Sequence, residues 1–227
     1  MTTTVTLTGT GTPFPASRRA GPGVLVRHGD LALQFDAGRA TALRLAERGV
    51  LPNALTAVFL THVRSDHVTD LPYLAMTRWL FRNLVPAGPL PVVAAAGQAA
   101  DFVAKMLEPY AADIASRRPH LDAKPPGVAL STFPVPHEPA VVWHSADQAV
   151  TVRAVAVRHE PVKDAVAYRI DTPDAAVIVS GDTRVCAEID DLARGADLLV
   201  HEQDLRSGGY TARTTVGRDL LDFPISA

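Results

Sequence analysis

The stretch Thr56-Ala57-Val58-Phe59-Leu60-Thr61-His62-Val63-Arg64-Ser65-Asp66-His67 decides how the rest of the chain is read. Residues 56–61 form a short apolar run, typical of a strand buried on both faces. The polar segment 62–69 is then a loop. Three side chains able to hold a cation, His62, Asp66 and His67, follow the C-terminal end of that strand. Imidazole nitrogen and carboxylate oxygen are donors that a borderline cation such as zinc accepts. A loop can fold all three inward, whereas a straight strand would split them between its faces.

Outward from this stretch, polar residues of the same kind stand beyond other apolar runs. His159 follows residues 150–157. Asp182, in Ser180-Gly181-Asp182-Thr183, follows residues 175–179. His201-Glu202 follows residues 197–200. Strands that share a sheet core bring such ends to one hollow, where a carboxylate such as Asp182 can bridge two cations about 3.5–4 Å apart.

The remaining pattern supplies the frame. The N-terminus alternates Thr with apolar residues as far as Gly9-Thr10-Gly11, which reads as a strand and not a signal peptide. Residues 24–27 and 31–35 flank His28-Gly29-Asp30 as a hairpin. Residues 39–48 form a short amphipathic helix that Gly49 stops. Asp70 caps a helix running to Arg82, with Pro72 in its first turn. Residues 91–95 and 165–170 read as strands, and 99–107 as a helix. Residues 117–140, rich in proline, read as an irregular surface excursion. Runs of strands with helices interspersed suit two sheets packed face to face with helices outside, a four-layer α/β sandwich in a single domain over residues 1–227.

Composition bounds the function. Apolar residues at 47% and charged residues at 20% describe a globular chain and not a disordered one. Lys plus Arg is 22 and Asp plus Glu is 24, a net charge of −2, which excludes a nucleic-acid binder acting through its whole surface. A local basic patch stays open. Cys186 is the one cysteine, so an intrachain disulfide framework and a structural zinc ribbon are excluded. Any metal is left to His, Asp and Glu. No apolar run approaches the roughly 20 residues of a membrane span, so a soluble, cytoplasmic protein is expected, with no membrane partner. A Gly-x-Ser-x-Gly elbow is absent, and Gly9-Thr10-Gly11 lacks the Gly-Lys-Ser/Thr of a P-loop.

The segment 61–67 resembles the T-H-x-H-x-D-H signature of the metallo-β-lactamase superfamily. The ordered set of matches resembles its ribonuclease Z branch: Gly9-Thr10-Gly11, Phe35-Asp36-Ala37-Gly38, the 59–67 segment, His159 with Tyr168-Arg169-Ile170, Ser180-Gly181-Asp182-Thr183, and Leu199-Val200-His201-Glu202. The resemblance implies an αββα fold and a dinuclear Zn2+ site. One ion takes His62, the residue at position 64, His159 and Asp182. The other takes Asp66, His67, Asp182 and a final His. It also implies phosphodiester hydrolysis by a zinc-bound hydroxide that Asp66 orients, with His201 assisting the leaving group and Asp36 and Glu202 supporting the ligands. Transfer-RNA 3′ processing is the inherited substrate, and a homodimer the inherited assembly. The other readings are a metal-depleted homologue that acts by binding, and a hydrolase of small esters, lactones, lactams or sulfates.

Two departures from that pattern matter. Position 64 is Arg, whose guanidinium has only donors and stays protonated, so it cannot ligate a metal. Arg64 is expected to stand in part for a cation by pairing with Asp182 or Asp66, leaving one ion at best and an impaired enzyme. No His follows His201, and the chain is expected to lack the fold's C-terminal strand and helix. His137 is the rival of His159 but falls in the proline-rich segment. His28, His120 and His144 read as surface or turn residues, and Cys186 as an apolar filler. Arg78, Arg82, Arg117 and Arg118 read as solvated helix surface with phosphate contact as the alternative.

Overall fold

The computed structural model describes residues 1–121, 124–202 and 215–225. Its first sheet contains β1 (Thr3–Gly9), β2 (Gly23–His28), β3 (Leu31–Phe35), β4 (Ala57–Leu60), β5 (Leu90–Ala95) and β6 (Val128–Phe133). Its second contains β7 (Ala140–His144), β8 (Thr151–Ala156), β9 (Val166–Asp171), β10 (Ala176–Val179) and β11 (Leu198–Val200). A last strand, β12 (Asp222–Ile225), returns to the first sheet. The orders are β12-β1-β2-β3-β4-β5-β6 and β11-β10-β9-β8-β7. β4 is buried along its length and lies parallel between β3 and β5, as its unbroken apolar run requires.

Side chains alternate across the strands and so fill three layers. Phe35, Phe59 and Val93 face Val152, Tyr168 and Ile170 between the sheets. Val58, Leu60 and Val92, on the other face, meet Leu45 of α1 (Thr41–Glu47), Leu71 and Leu74 of α3 (Leu71–Leu80), and Val103 of α4 (Gln98–Lys105). Behind the second sheet, Val155 and Ile178 meet Ile189 and Leu192 of α6 (Ala187–Leu192). This is the αββα sandwich the sequence implied.

The two sheets are pinned at the end of β4. Phe35 and Phe59 stack with centroids 4.8 Å apart, and Tyr168 lies 5.5 Å from each. The Tyr168 hydroxyl donates to the Leu60 carbonyl at 2.7 Å, and the Val166 N–H donates to the Thr61 carbonyl at 2.9 Å. The polar segment after β4 is therefore held across both sheets.

Several expectations are corrected. The polar segment contains a helical turn, α2 (Ser65–Val68), which points Asp66 and His67 inward as a loop was meant to. The proline-rich excursion holds the end of α5 (Ala111–Leu121), all of β6 and the start of β7. Its prolines flank β6, which pairs with β5 along its whole length. β12 was not expected, and it tolerates Pro224 because it lies at a sheet edge. Asp70 does not cap its own helix. Its Oδ2 accepts the Ala42 N–H of α1 at 2.8 Å. His28 is mostly buried, 3.0 Å from Thr3 Oγ1 and 3.2 Å from Asp174. Arg78 is buried and donates to the carbonyls of Pro52, Asn53, Leu55 and Gly88. Among the described residues no helix is long and apolar enough to cross a membrane.

Candidate metal centre

Asp36 organises the site. It leaves β3 with a positive φ of 55°, which turns its carboxylate toward the β4 end. Oδ1 accepts the Thr61 N–H at 2.8 Å, and Oδ2 accepts the Thr61 hydroxyl at 2.7 Å. Oδ2 also lies 2.8 Å from His67 Nδ1. A Cβ at Gly38 would lie 2.3 Å from the Asp66 carbonyl oxygen, so this segment presses against α2 only because it carries glycine there.

Proton counting then fixes both rings. The Thr61 hydroxyl gives its proton to Asp36, so at 3.0 Å from His62 Nδ1 it must accept from that nitrogen. His62 Nε2 is left as a bare lone pair. His67 Nδ1 likewise donates to Asp36, which turns its Nε2 toward the hollow.

Asp182 stands where these rings point. Its loop follows β10 and turns at Gly181, with φ 59°, whose missing Cβ would meet Thr61 at 2.7 Å. Asp182 Oδ2 is 3.9 Å from His62 Nε2 and 3.9 Å from His159 Nε2. Asp182 Oδ1 is 3.0 Å from His67 Nε2, close but not aligned as a hydrogen bond. Asp66 Oδ2 approaches His67 Nε2 at 3.8 Å. Arg64 Nη1 is 3.6 Å from Asp182 Oδ2, the pairing expected for it, and its side chain is partly exposed.

His159 and not His137 joins the cluster, since His137 is exposed in its turn. His201 Nδ1 lies 2.6 Å from Ser180 Oγ, and Glu202 Oε1 accepts the Thr183 N–H at 3.0 Å. Both therefore border the Asp182 loop. Among the described residues, donor atoms of His62, His159 and Asp182 all lie within 4.8 Å of one another.

These residues fit a divalent cation. The Nε2 atoms of His62, His67, His159 and His201 are buried and have no hydrogen-bond partner among the described residues. Buried polar atoms normally have one. Converging imidazole lone pairs beside a carboxylate are what a borderline cation supplies with a partner.

Without an ion, the charges in the hollow are shared among its own groups. Burial, with the charge of His67 beside it, lowers His62 to about 4, so its ring is neutral at pH 7. Burial opposes the charge on His67, but the Asp36 and Asp182 carboxylates outweigh it and raise His67 to about 10. Burial works against the Asp182 carboxylate, and His67 nonetheless holds it far below the usual range. Burial lowers His159, helped by the Arg64 charge, and it also lowers His201. Partial burial of its carboxyl, then the Asp182 charge, push Glu202 up to about 7.

The cluster opens into a cleft of about 580 Å³ whose walls include Arg64, Arg158, Arg184 and Asp182. Arg158 pairs with the half-buried Glu188 at 3.1 Å, and Arg184 with Glu160 at 2.6 Å, both of these exposed. The sequence reading missed Arg158 and Arg184. Their positions next to His159 and two residues past Asp182 were the available signal.

A four-layer sandwich with histidines and carboxylates gathered at its strand ends defines the metallo-β-lactamase type of hydrolase. Residues 20–210 match the β-lactamase superfamily domain. A ribonuclease Z from Mycobacterium sp. (strain KMS) is 42% identical over 202 residues, covering 87% of this chain and 67% of that protein. One from Mycolicibacterium gilvum (strain PYR-GCK) is 37% identical over 220 residues, covering 96% and 70%. Among solved structures, the short form of human tRNase Z superposes with a TM-score of 0.74 at 17% identity, covering 99% of this chain and 100% of that one. The metallo-β-lactamase fold protein YhfI from Bacillus subtilis gives 0.67 at 22% identity, covering 88% and 71%. Those two likenesses bear on the fold alone. The chain belongs to the ribonuclease Z family of the β-lactamase superfamily, and it is a hydrolase.

Proposed function

We propose that this chain hydrolyses phosphodiester bonds in RNA, in the manner of transfer-RNA 3′ processing, at a divalent cation held around Asp182. Zinc is the ion that the imidazole and carboxylate donors favour. The observation that carries the reading is the set of buried, unpartnered Nε2 atoms beside Asp182, in a cleft whose wall carries Arg64, Arg158 and Arg184 alongside Glu160 and Glu202. Such an ion acidifies water and stabilises charge developing on phosphoryl oxygens.

The chain's own residues do the rest. Asp36 and Thr61 hold His62 and His67 in the tautomers that turn Nε2 toward Asp182. Asp66, buried beside His67, is the carboxylate that takes the proton of the attacking water. The Ser180 hydroxyl donates to the Gly181 carbonyl and so accepts from His201 Nδ1, which leaves His201 Nε2 bare and able to serve the departing oxygen only once it has taken up a proton. Arg158 and Arg184 offer forked donors suited to phosphate oxygens flanking the reacting bond. Relatives named ribonuclease Z support RNA as the polymer.

The test is a transfer-RNA precursor carrying a 3′ trailer. Cleavage is expected that a chelator abolishes and added zinc restores, with Asp182→Asn losing at least 100-fold. Chelator-insensitive cleavage, or folded and zinc-loaded protein that leaves the precursor intact, overturns the proposal. Arg64 favours a second reading, in which the cleft binds RNA without cutting it. RNA binding by the wild type with cleavage only in Arg64→His selects that reading.

A further inference from the structure

We propose that Gln34 is a positioning residue for the metal centre, its amide holding the Asp36–Ala37 peptide so that the Asp36 carboxylate meets Thr61 and His67. The proposal rests on reading the cluster as a metal centre.

Gln34 is a polar residue in an apolar layer. On β3, Leu33 and Phe35 face the gap between the sheets, so Gln34 shares the opposite face with Ala32. That face meets the helix layer, which includes Leu25 and Leu45, and Gln34 is fully buried there. A buried amide needs hydrogen bonds to offset its desolvation. Gln34 Nε2 donates to the Asp36 carbonyl at 2.8 Å, the Phe35 carbonyl at 3.1 Å and Thr8 Oγ1 at 3.0 Å. Two of these partners are carbonyls, which only accept, so this end of the amide is the NH2. Oε1 has no partner among the described residues, and all the hydrogen bonds of the side chain run through Nε2.

The bond to Asp36 has the longest reach. Asp36 stands at φ 55°, in the left-handed region that a non-glycine residue keeps only where its surroundings hold it. The peptide after it is pinned at both ends. Its N–H, on Ala37, donates to the His67 carbonyl at 2.7 Å. Its oxygen receives the Gln34 amide, and no backbone N–H among the described residues reaches that oxygen. Without Gln34 the oxygen is an acceptor with no partner in a buried turn. Turning the peptide to find one carries the Asp36 side chain off Thr61 and His67, which it meets at 2.7–2.8 Å. The fit around the amide is close. A Cβ on Gly23 would lie 3.0 Å from Gln34 Nε2 and 2.5 Å from Thr8 Oγ1. Gly23 does not take a positive φ, so its backbone admits alanine and only the space is contested.

The experiment compares wild type with three variants. Gln34→Met keeps the length and removes the donor. Gly23→Ala presses on the same amide. Val92→Ala truncates the same layer two strands away. Hydrogen exchange of the Thr61 amide is followed by NMR without zinc, with the Val166 amide as reference, because Val166 N–H bonds the Thr61 carbonyl and not Asp36. Zinc affinity is read by competition against a chelating dye. In Gln34→Met the Thr61 amide is expected to lose protection while Val166 keeps it. Zinc affinity is expected to fall about 10-fold, the low end for residues that orient a metal ligand. Gly23→Ala is expected to move both readouts the same way by less, and it carries the test if Gln34→Met does not fold. Val92→Ala is expected to move neither. Thr61 protection unchanged in the folded variants overturns the inference, and zinc binding by wild type then leaves the metal-centre reading intact. So does unchanged zinc affinity in Gln34→Met, or a Val92→Ala protein that matches it in both readouts, which marks a general loss of stability. Folded wild type that takes no zinc overturns the metal-centre reading and with it the service of Gln34 to that centre, even where the Thr61 amide responds.

Discussion

Replacing Asp36 with Asn tests whether one carboxylate sets both histidine tautomers. The exchange keeps shape and removes the charge. Asp36 accepts the Thr61 N–H, the Thr61 hydroxyl and His67 Nδ1 at 2.7–2.8 Å. An amide oxygen can replace one carboxylate oxygen only. If it serves the hydroxyl and His67, its NH2 confronts the Thr61 N–H, leaving a buried donor unpaired at a cost of about 1–3 kcal/mol. The two remaining bonds fall from charge-assisted to neutral, about 1 kcal/mol each. The sum is about 3–5 kcal/mol, which for a chain of this size lowers Tm by roughly 6–20 °C. Loss of the carboxylate behind a metal-binding ring weakens metal binding about 10–100-fold. Calorimetry of the metal-free protein and zinc competition against a chelating dye read the two effects. A Tm within about 2 °C of wild type, together with zinc affinity within about twofold, refutes the reasoning.

The metal-free protein should be most stable near pH 6.5 and lose stability in both directions. His67, raised to about 10, contributes fully below pH 6.5 and loses that contribution as pH rises toward 10. His62, lowered to about 4, contributes fully above pH 6.5 and loses it as pH falls toward 4. Thermal unfolding in chelator from pH 4 to 10 checks this, and a stability that climbs steadily to pH 10 contradicts it. Tyr168→Phe removes the hydrogen bond that ties the second sheet to the Leu60 carbonyl and costs about 0.5–1.5 kcal/mol, measured by denaturant unfolding. Arg158→Ala with Arg184→Ala should leave Tm unmoved, because exposed ion pairs contribute little. The same double variant should flatten the slope of log K against log salt for single-stranded RNA by about 1.4, for two lost phosphate contacts.

The strand before His62 and the donors after it were legible because a doubly buried strand must be apolar and a cation site must not be. Both properties act over a few residues and leave their mark in order along the chain. The choice of His159 over His137 was legible for the same reason, through the apolar run before it. β6 and β7 were hidden because prolines crowd the segment, yet they sit outside the paired residues. Arg78 was misread because its partners are backbone carbonyls, which carry no sequence signature. The division of Asp182 between two sides depends on how loops from separate strands meet. No local pattern encodes that.

Anomalous scattering at the zinc edge, from crystals grown with zinc, locates the ion directly. A peak within bonding distance of Asp182 and the histidine Nε2 atoms around it is the expected result. Full zinc loading of the crystal with no peak in this hollow would show that these side chains meet for some purpose other than holding a cation.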